Sequence, residues 1–356
     1  VKLLVAGGGT GGHVFPAVAV AKEWLNRDEG REVVIVGTAR GFEARLVPAA
    51  GLPFETLRVR GLKGIGGSRF VRNLAVLPLG LWDALGVLRR HRFAAALGVG
   101  GYASGPMMLA AILRGVPSVL FEPNVQPGFT NGVLGGLVRR VAVAHQETAR
   151  RWTKKAVVTG CPVRAEFFEA TERSYQPPLR VLITGGSQGS RLINRAMTGA
   201  LDHLAPRKSE LSVVHQTGER DFEEVRRGYE QCGFAADVRP FFDDMPVRFA
   251  QADLIVCRSG AITVAEIAAA GRAAIFIPFG AATDSHQLRN AQAMERAGAG
   301  RVMTESELSP ERLAGEVLQF ADEPQRLAEM GKHARALGRP RATAAIVDLL
   351  EEVARQ

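Results

Sequence analysis

Leu3-Leu4-Val5-Ala6-Gly7-Gly8-Gly9-Thr10-Gly11-Gly12-His13, residues 3–13, is an apolar run that stops at a glycine turn, and a helical pattern follows from Val14 to about Asn26. Residues 180–191, RVLITGGSQGSR, repeat that grammar. Apolar runs without polar alternation fit strands covered on both faces. A strand, a glycine turn and a helix in succession open a βαβ unit. Two such openings in a chain of 356 residues predict an α/β protein of two doubly wound parallel-sheet domains.

Outward from these openings, further strands are expected at 33–37, 95–99, 116–121, 139–144 and 155–160 in the first half. In the second half they are expected at 212–218, 236–241, 252–260 and 272–280. A polar, proline-containing stretch from Glu169 to Pro178 separates the two series and places the boundary between about 161 and 178. The division predicted is 1–162 for a first domain and 163–338 for a second. The tail, 339–356, has helical spacing at Ala344, Ile346, Leu349, Leu350 and Val353 and is expected to pack back on the first domain.

Gly7, Gly9 and Gly12 satisfy Gly-x-Gly-x-x-Gly, the dinucleotide fingerprint. That fingerprint also expects an acid at the end of the second strand. Here the strand ends Val36-Gly37-Thr38, without a carboxylate, which argues against an oxidoreductase. Neither glycine loop has the Gly-Lys-Ser/Thr ending of a phosphate-hydrolysing P-loop. Both still place backbone N–H groups at a helix start, where an anion binds well.

Composition narrows the class further. The apolar fraction is 46%, enough for real cores, and the 40 glycines show no collagen period. Three cysteines, Cys161, Cys232 and Cys257, form no Cys-x-x-Cys pair, so neither a zinc cluster nor a disulfide framework is indicated, and a reducing compartment fits. Val1 to Ala6 read as a buried strand, not a signal peptide. No clean run of 18 or more apolar residues predicts a spanning helix. Net charge is +9 and uneven: residues 1–160 hold 21 Lys+Arg against 9 Asp+Glu, net +12, and the remainder 24 against 27, net −3. A basic first half suits a polyanionic partner on one side only, either nucleic acid or an anionic membrane face, unless it is simply a well-charged surface.

Two side chains stand out. His13 lies where the first loop meets its helix, near the positive end of the helix dipole, which favours neutral imidazole. It is therefore a candidate general base, or a group that orients a hydroxyl. Glu266 follows Ser259-Gly260 on a helix that also carries Thr263. It either complements the helix dipole or accepts the two hydroxyls of a ribose at a switch-point crevice.

In their order along the chain, the segments together resemble one family. They are 8–16 (GGTGGHVFP), 100–106 (GGYASGP), Asn124, Pro127-Gly128, Thr130-Asn131 and 160–164 (GCPVR) in the first half. In the second half they are 185–191 (GGSQGSR), 258–266 (RSGAITVAE), Gln287 and Asn290-Ala291. They are similar to the MurG family of bacterial N-acetylglucosaminyltransferases, which complete lipid II. The resemblance implies a GT-B fold, two such domains facing across a cleft. It implies UDP-N-acetylglucosamine as donor and undecaprenyl-diphospho-N-acetylmuramoyl-pentapeptide as acceptor. The sugar would join the muramoyl 4-hydroxyl with inversion.

Carried over position by position, the resemblance puts the donor in the second domain. Ser187 and the amides after it would meet the diphosphate, and Phe242 would offer backbone atoms to the uracil. The segment Ala261, Ile262, Thr263, Val264, Ala265 and Glu266 would meet the diphosphate and ribose. Gln287 would bind the donor sugar, and Arg164 would reach the diphosphate. Thr10, Gly11, Gly12, His13 and Asn124 would form the facing wall, with the first loop cradling the acceptor diphosphate. The family pattern departs at Phe121 and Pro123, where it reads His and Gln, and at Cys161 and His286, where it reads Asn and Gln.

One inverting displacement needs a base and no protein nucleophile. His13 is the expected base and Glu122 the reserve. The charge growing on the leaving diphosphate would fall to Arg164 and helix N-termini. No cofactor and no metal are expected, and of the two polyanions the anionic membrane face is expected, not nucleic acid. A UDP-sugar epimerase of the same two-domain type is the alternative, and a binding module without catalysis the third reading. The chain is expected at the cytoplasmic face of the membrane, docked through residues 58–92. There Phe70, Leu74, Leu77, Leu81, Leu85 and Leu88 form a helical stripe widened by Val71, Val76, Leu79 and Trp82. Arg58, Arg60, Lys63, Arg69, Arg72, Arg89, Arg90 and Arg92 bracket it, Ile65 lies in the turn before it, and Pro78 would kink or interrupt the helix. The competing reading is that these side chains fill the first domain's core or a subunit interface.

Overall fold

The computed structural model describes residues 1–9, 11–59, 77–171, 175–280 and 285–355. Thr10 lies outside the described residues, as do positions 60–76 of the expected docking stretch. The chain divides into two compact units, Val1–Val163 with Arg339–Gln356, and Arg164–Gly338.

The first unit is built on seven parallel strands, β1 Lys2–Gly7, β2 Glu32–Thr38, β3 Phe54–Leu57, β4 Ala95–Gly100, β5 Ser118–Glu122, β6 Arg140–Val143 and β7 Ala156–Val158. Their spatial order is β3-β2-β1-β4-β5-β6-β7. Leu3, Leu4, Val5, Ala6, Ala95, Ala96 and Leu97 are fully buried, as strands covered on both faces require. The helices are α1 Gly11–Asn26, α2 Glu43–Ala49, α3 Leu77–Arg90, α4 Ser104–Leu113, α5 Phe129–Leu134 and the short α6 Gln146–Ala149.

The second unit has six parallel strands, β8 Leu179–Thr184, β9 Leu211–Gln216, β10 Ala236–Arg239, β11 Leu254–Cys257, β12 Ala273–Phe276 and β13 Arg301–Val302. Their order is β10-β9-β8-β11-β12-β13, so the two units share one topology. Its helices are α7 Arg191–Leu204, α8 Phe222–Gln231, α9 Met245–Gln251, α10 Ala261–Ala270, α11 His286–Arg296, α12 Pro310–Asp322 and α13 Pro324–Leu337. α7 and α12 pack together over β8, β9 and β11, where Ile193, Met197, Leu201, Leu313, Val317 and Phe320 close the core.

The last helix, α14 Ala342–Ala354, returns to the first unit and buries Ile346, Val347, Leu349, Leu350 and Val353. It packs on α1, and Arg27 fixes it by donating to Asp348 at 2.7 Å, Glu351 at 3.0 Å and the Ala344 carbonyl at 3.0 Å.

Two strands escaped the sequence reading, β3 and β13. Both are edge strands. Phe54-Glu55-Thr56-Leu57 is short and half polar, and β13 has two residues, so neither carries the apolar run that marks a strand buried on both faces.

α3 corrects the expected docking stripe. Leu81, Leu85 and Leu88 pack against the first unit's core beside the buried Ala84 and Val87, while Leu79 and Trp82 stay exposed. Pro78 is the second described residue of the helix, and the stretch before it, where a kink would show, lies outside the described residues.

Candidate functional site

In both sheets the chain reverses its winding at one place, between β1 and β4 and between β8 and β11. Loops leaving the two strands there diverge to opposite faces and open a crevice at the carboxyl ends of the strands. The candidate residues of each unit collect at that edge.

In the first unit, the turn after β1 meets the turn after β4 backbone to backbone. Gly8 N donates to Gly100 O at 3.3 Å. At Gly101, with φ +84°, an added Cβ would lie 1.9 Å from Gly8 O, so only glycine allows the approach. His13, in the first turn of α1, is half-buried with its imidazole against Gly100. A Cβ there would come within 3.0 Å of Nε2. Gly11 and Gly12 begin the same helix.

Asn124 follows β5, whose last residue, Glu122, is buried. Glu122 Oε1 accepts from Asn124 N at 2.9 Å and Asn124 Nδ2 at 3.0 Å. Oε2 accepts from Gly128 N at 2.9 Å and Asn131 Nδ2 at 2.9 Å. A carboxylate has about four lone-pair directions, and all four are used. Both oxygens are thus engaged within the fold, which argues against the reserve-base expectation. Glu122 holds the loop that carries Asn124. The departure at Phe121 is a core residue, fully buried, and Cys161 is buried as well.

In the second unit, Ser187 is exposed at the tip of the loop after β8. Gly189, with φ +70°, passes so close to the next turn that a Cβ would lie 1.9 Å from Thr217 O. Ser190 caps α7 by accepting from Ile193 N. Arg258, just past β11, reaches across the switch point. It donates to Ser190 Oγ at 2.9 Å, Glu305 Oε1 at 2.7 Å and Ile277 O at 3.1 Å. A guanidinium thus stands beside the loop whose amides open α7, an arrangement suited to a diphosphate.

Gly260 offers no side-chain cap to α10, so the first amides of that helix, at Ala261, Ile262 and Thr263, are left for a ligand or water. Val264 is buried, and Ala265 and Glu266 are half-buried one turn further on. Burial pushes the Glu266 carboxyl up to about 7, with the Arg164 charge drawing it back. Arg164 itself is exposed, its guanidinium 5.1 Å from the Phe167 ring centroid. α11 is tied to the same edge: Ser259 Oγ donates to Gln287 O at 2.9 Å, and Gln287 Oε1 accepts from Phe279 N at 3.0 Å.

Phe242 departs in part from expectation. Its ring is buried beneath Arg239 and Arg248, and its N–H is donated to Gln216 Oε1 at 2.9 Å. Only its carbonyl is left for a base edge.

Several neighbours were given no role by sequence, Arg258 among them although it opens the 258–266 motif. Arg258 and Gln216 work through contacts that no spacing reveals. His145, past the end of β6, donates a ring hydrogen bond to the Pro123 carbonyl beside Asn124, and burial holds it below the ordinary histidine range. Glu43 belongs to the same group.

The glycosyltransferase family 28 N-terminal domain matches residues 3–143, and the family 28 C-terminal domain matches residues 180–347. The chain is 47% identical over 351 residues to the UDP-N-acetylglucosamine–N-acetylmuramyl-(pentapeptide) pyrophosphoryl-undecaprenol N-acetylglucosamine transferase of Myxococcus xanthus, covering 98% of this chain and 92% of that protein. It superposes on Acinetobacter baumannii MurG with a TM-score of 0.81 and 32% identity, covering 99% of both chains. The UDP-N-acetylglucosamine 2-epimerase of Neisseria meningitidis matches with a TM-score of 0.68 at 13% identity, over 99% of this chain and 100% of that one, which shows a shared fold alone. With both domain models and full-length relatives in agreement, the chain belongs to glycosyltransferase family 28 and, within it, to the MurG family of N-acetylglucosamine transferases.

Proposed function

We propose that this chain transfers N-acetylglucosamine from UDP-N-acetylglucosamine to the 4-hydroxyl of undecaprenyl-diphospho-N-acetylmuramoyl-pentapeptide, with inversion. The observation that carries the donor half is the second switch point. There the start of α7, the start of α10, Arg258 and Glu266 converge on one strand edge. In this reading the amides after Ser187 and those of Ala261, Ile262 and Thr263 take the diphosphate, with Arg164 and Arg258 as counter-charges. Glu266 accepts the ribose hydroxyls, the Phe242 carbonyl meets the uracil, and Gln287 offers its amide nitrogen to the sugar. Donors fixed around the leaving diphosphate stabilise the charge that grows there in the transition state.

His13 is the proposed base. It stands at the first switch point, where a neutral imidazole takes the proton of the attacking hydroxyl. The Asn124 loop, held by Glu122, lines that edge. The acceptor is lipid-linked, so the first unit is proposed to lie at the cytoplasmic face of the membrane. Supporting this, α3 packs on α4 and α4 on α5, and Leu79 and Trp82 of α3 and Phe129 and Val133 of α5 are exposed. Among the described residues no helix is long and apolar enough to cross a membrane.

One assay tests the activity. The protein is incubated with UDP-N-acetylglucosamine with and without lipid-linked acceptor, and UDP release is followed. Acceptor-dependent release is expected, and His13→Ala should abolish it while donor binding persists. Conversion of the donor without acceptor would replace this reading with an epimerase. Donor binding with neither reaction would leave a binding module.

A further inference from the structure

Glu43 opens the short helix α2, and its side chain is fully buried. Its Oε2 accepts from Gly9 N at 2.7 Å, and its Oε1 accepts from Thr38 N at 2.9 Å and Thr38 Oγ1 at 2.7 Å. One carboxylate therefore ties the turn after β1 to the end of β2. The chain makes room for it with glycines. An added Cβ would lie 2.1 Å from Oε1 at Gly8, 2.1 Å from Oε2 at Gly41 and 2.5 Å from Cγ at Gly37. Burial alone would push this acid up, and the hydrogen bonds from Gly9 and Thr38 more than offset that and hold it below the ordinary range.

In dinucleotide enzymes the acid at this strand end faces outward onto a ribose. Glu43 reaches the same strand end from the following helix and turns inward onto the loop itself. We propose that Glu43 is a positioning residue for transfer. It fixes the turn that leads into α1 and His13 without touching substrate. The inference rests on the transferase reading.

The test starts from Glu43→Gln, which keeps the shape but sets an NH2 group against the N–H of Gly9 or Thr38. With both substrates saturating, kcat should fall about 100-fold, the loss expected when a reacting group is misplaced by about 1 Å. UDP affinity, read by calorimetry, should be unchanged, because the proposed donor groups lie in the second unit. Backbone amide exchange over residues 3–16, which needs no turnover, should quicken. A second pair separates hydrogen bonding from space filling. Gly41→Ala should impair turnover by driving a methyl against the carboxylate. Gly41→Ala combined with Glu43→Ala relieves that crowding but lacks all three bonds, and should bind UDP normally yet remain slow. Wild-type kcat in Glu43→Gln, restored kcat in the double variant, or a loss of kcat with unchanged loop exchange would each overturn the proposal. Failure of the transferase reading looks different: the wild type would release no UDP with acceptor, while loop exchange would still quicken in Glu43→Gln.

Discussion

Glu266 is the residue whose chemistry makes the sharpest demand. Burial pushes its carboxyl up to about 7, and in the role proposed for it the ribose diol needs the charged form as acceptor. Binding at lower pH must therefore first expel a proton. Affinity for UDP-N-acetylglucosamine, whose two phosphates do not titrate in this range, should fall about tenfold per pH unit below about 6, or about 1.4 kcal/mol per unit. It should be flat above pH 8. Calorimetry in buffers of different ionisation enthalpy should detect proton release at pH 5.5 and none at pH 8. Glu266→Gln should bind weakly and without pH dependence. Constant wild-type affinity from pH 5.5 to 8 would leave Glu266 as a helix-start residue only. The stability sign follows from the same shift. The folded-state value lies above the ordinary 4.5, so ionisation is disfavoured in the fold, and the free protein loses stability as pH rises from about 4.5 to about 7. At this scale the sequence was legible for position where a residue sits inside a short motif: it put His13 at the start of α1 and Glu266 on α10, where the structure has them. It did not show how Glu122 is engaged, because the donors to its oxygens come from positions 124, 128 and 131. It was silent at Glu43, because the acid stands five residues past Thr38 and reaches back.

Elements were legible wherever burial is two-sided. Runs such as 2–7 and 254–257 have no polar partner face and can only be central strands. Helical spacing is less decisive, because it defines a face but not what covers it. In α3 the positions Leu81, Leu85 and Leu88 turn to the core, and Leu79 and Trp82 turn away. Truncation should separate the two faces. Leu85→Ala should cost about 2 kcal/mol, the low end for a leucine because it is only partly buried. Trp82→Ser should change stability by no more than about 0.5 kcal/mol. Urea unfolding of both variants checks this, and equal losses would mean that Trp82 packs against something within the fold.

On the scale of the whole molecule, the first half of the chain holds both the excess of positive charge and the two most exposed aromatic side chains among the described residues. Residues 1–160 carry net +12, and the first unit exposes Trp82 at 66% and Phe129 at 72%. A soluble partner could cover such side chains, but an acceptor with an undecaprenyl tail requires the bilayer to lie within reach of the site. Arginine near these aromatics fits an interfacial surface, and Arg89 lies 5.9 Å from the Trp82 ring centroid. Each basic residue close to an anionic surface adds about 1 kcal/mol, and the attraction fades as the screening length shrinks from about 10 Å at 0.1 M salt to about 3 Å at 1 M. The wild type should therefore float with phosphatidylglycerol vesicles, stay behind with phosphatidylcholine vesicles, and be released from the former as salt rises. Leu79→Ser, Trp82→Ser and Phe129→Ser together should abolish flotation and leave UDP-N-acetylglucosamine affinity intact, since the side chains replaced are exposed ones of the first unit. Arg89→Glu should weaken flotation most at low salt, where screening is least. A wild type that never floats, or a triple variant that floats like it, would move the docking surface away from α3 and α5.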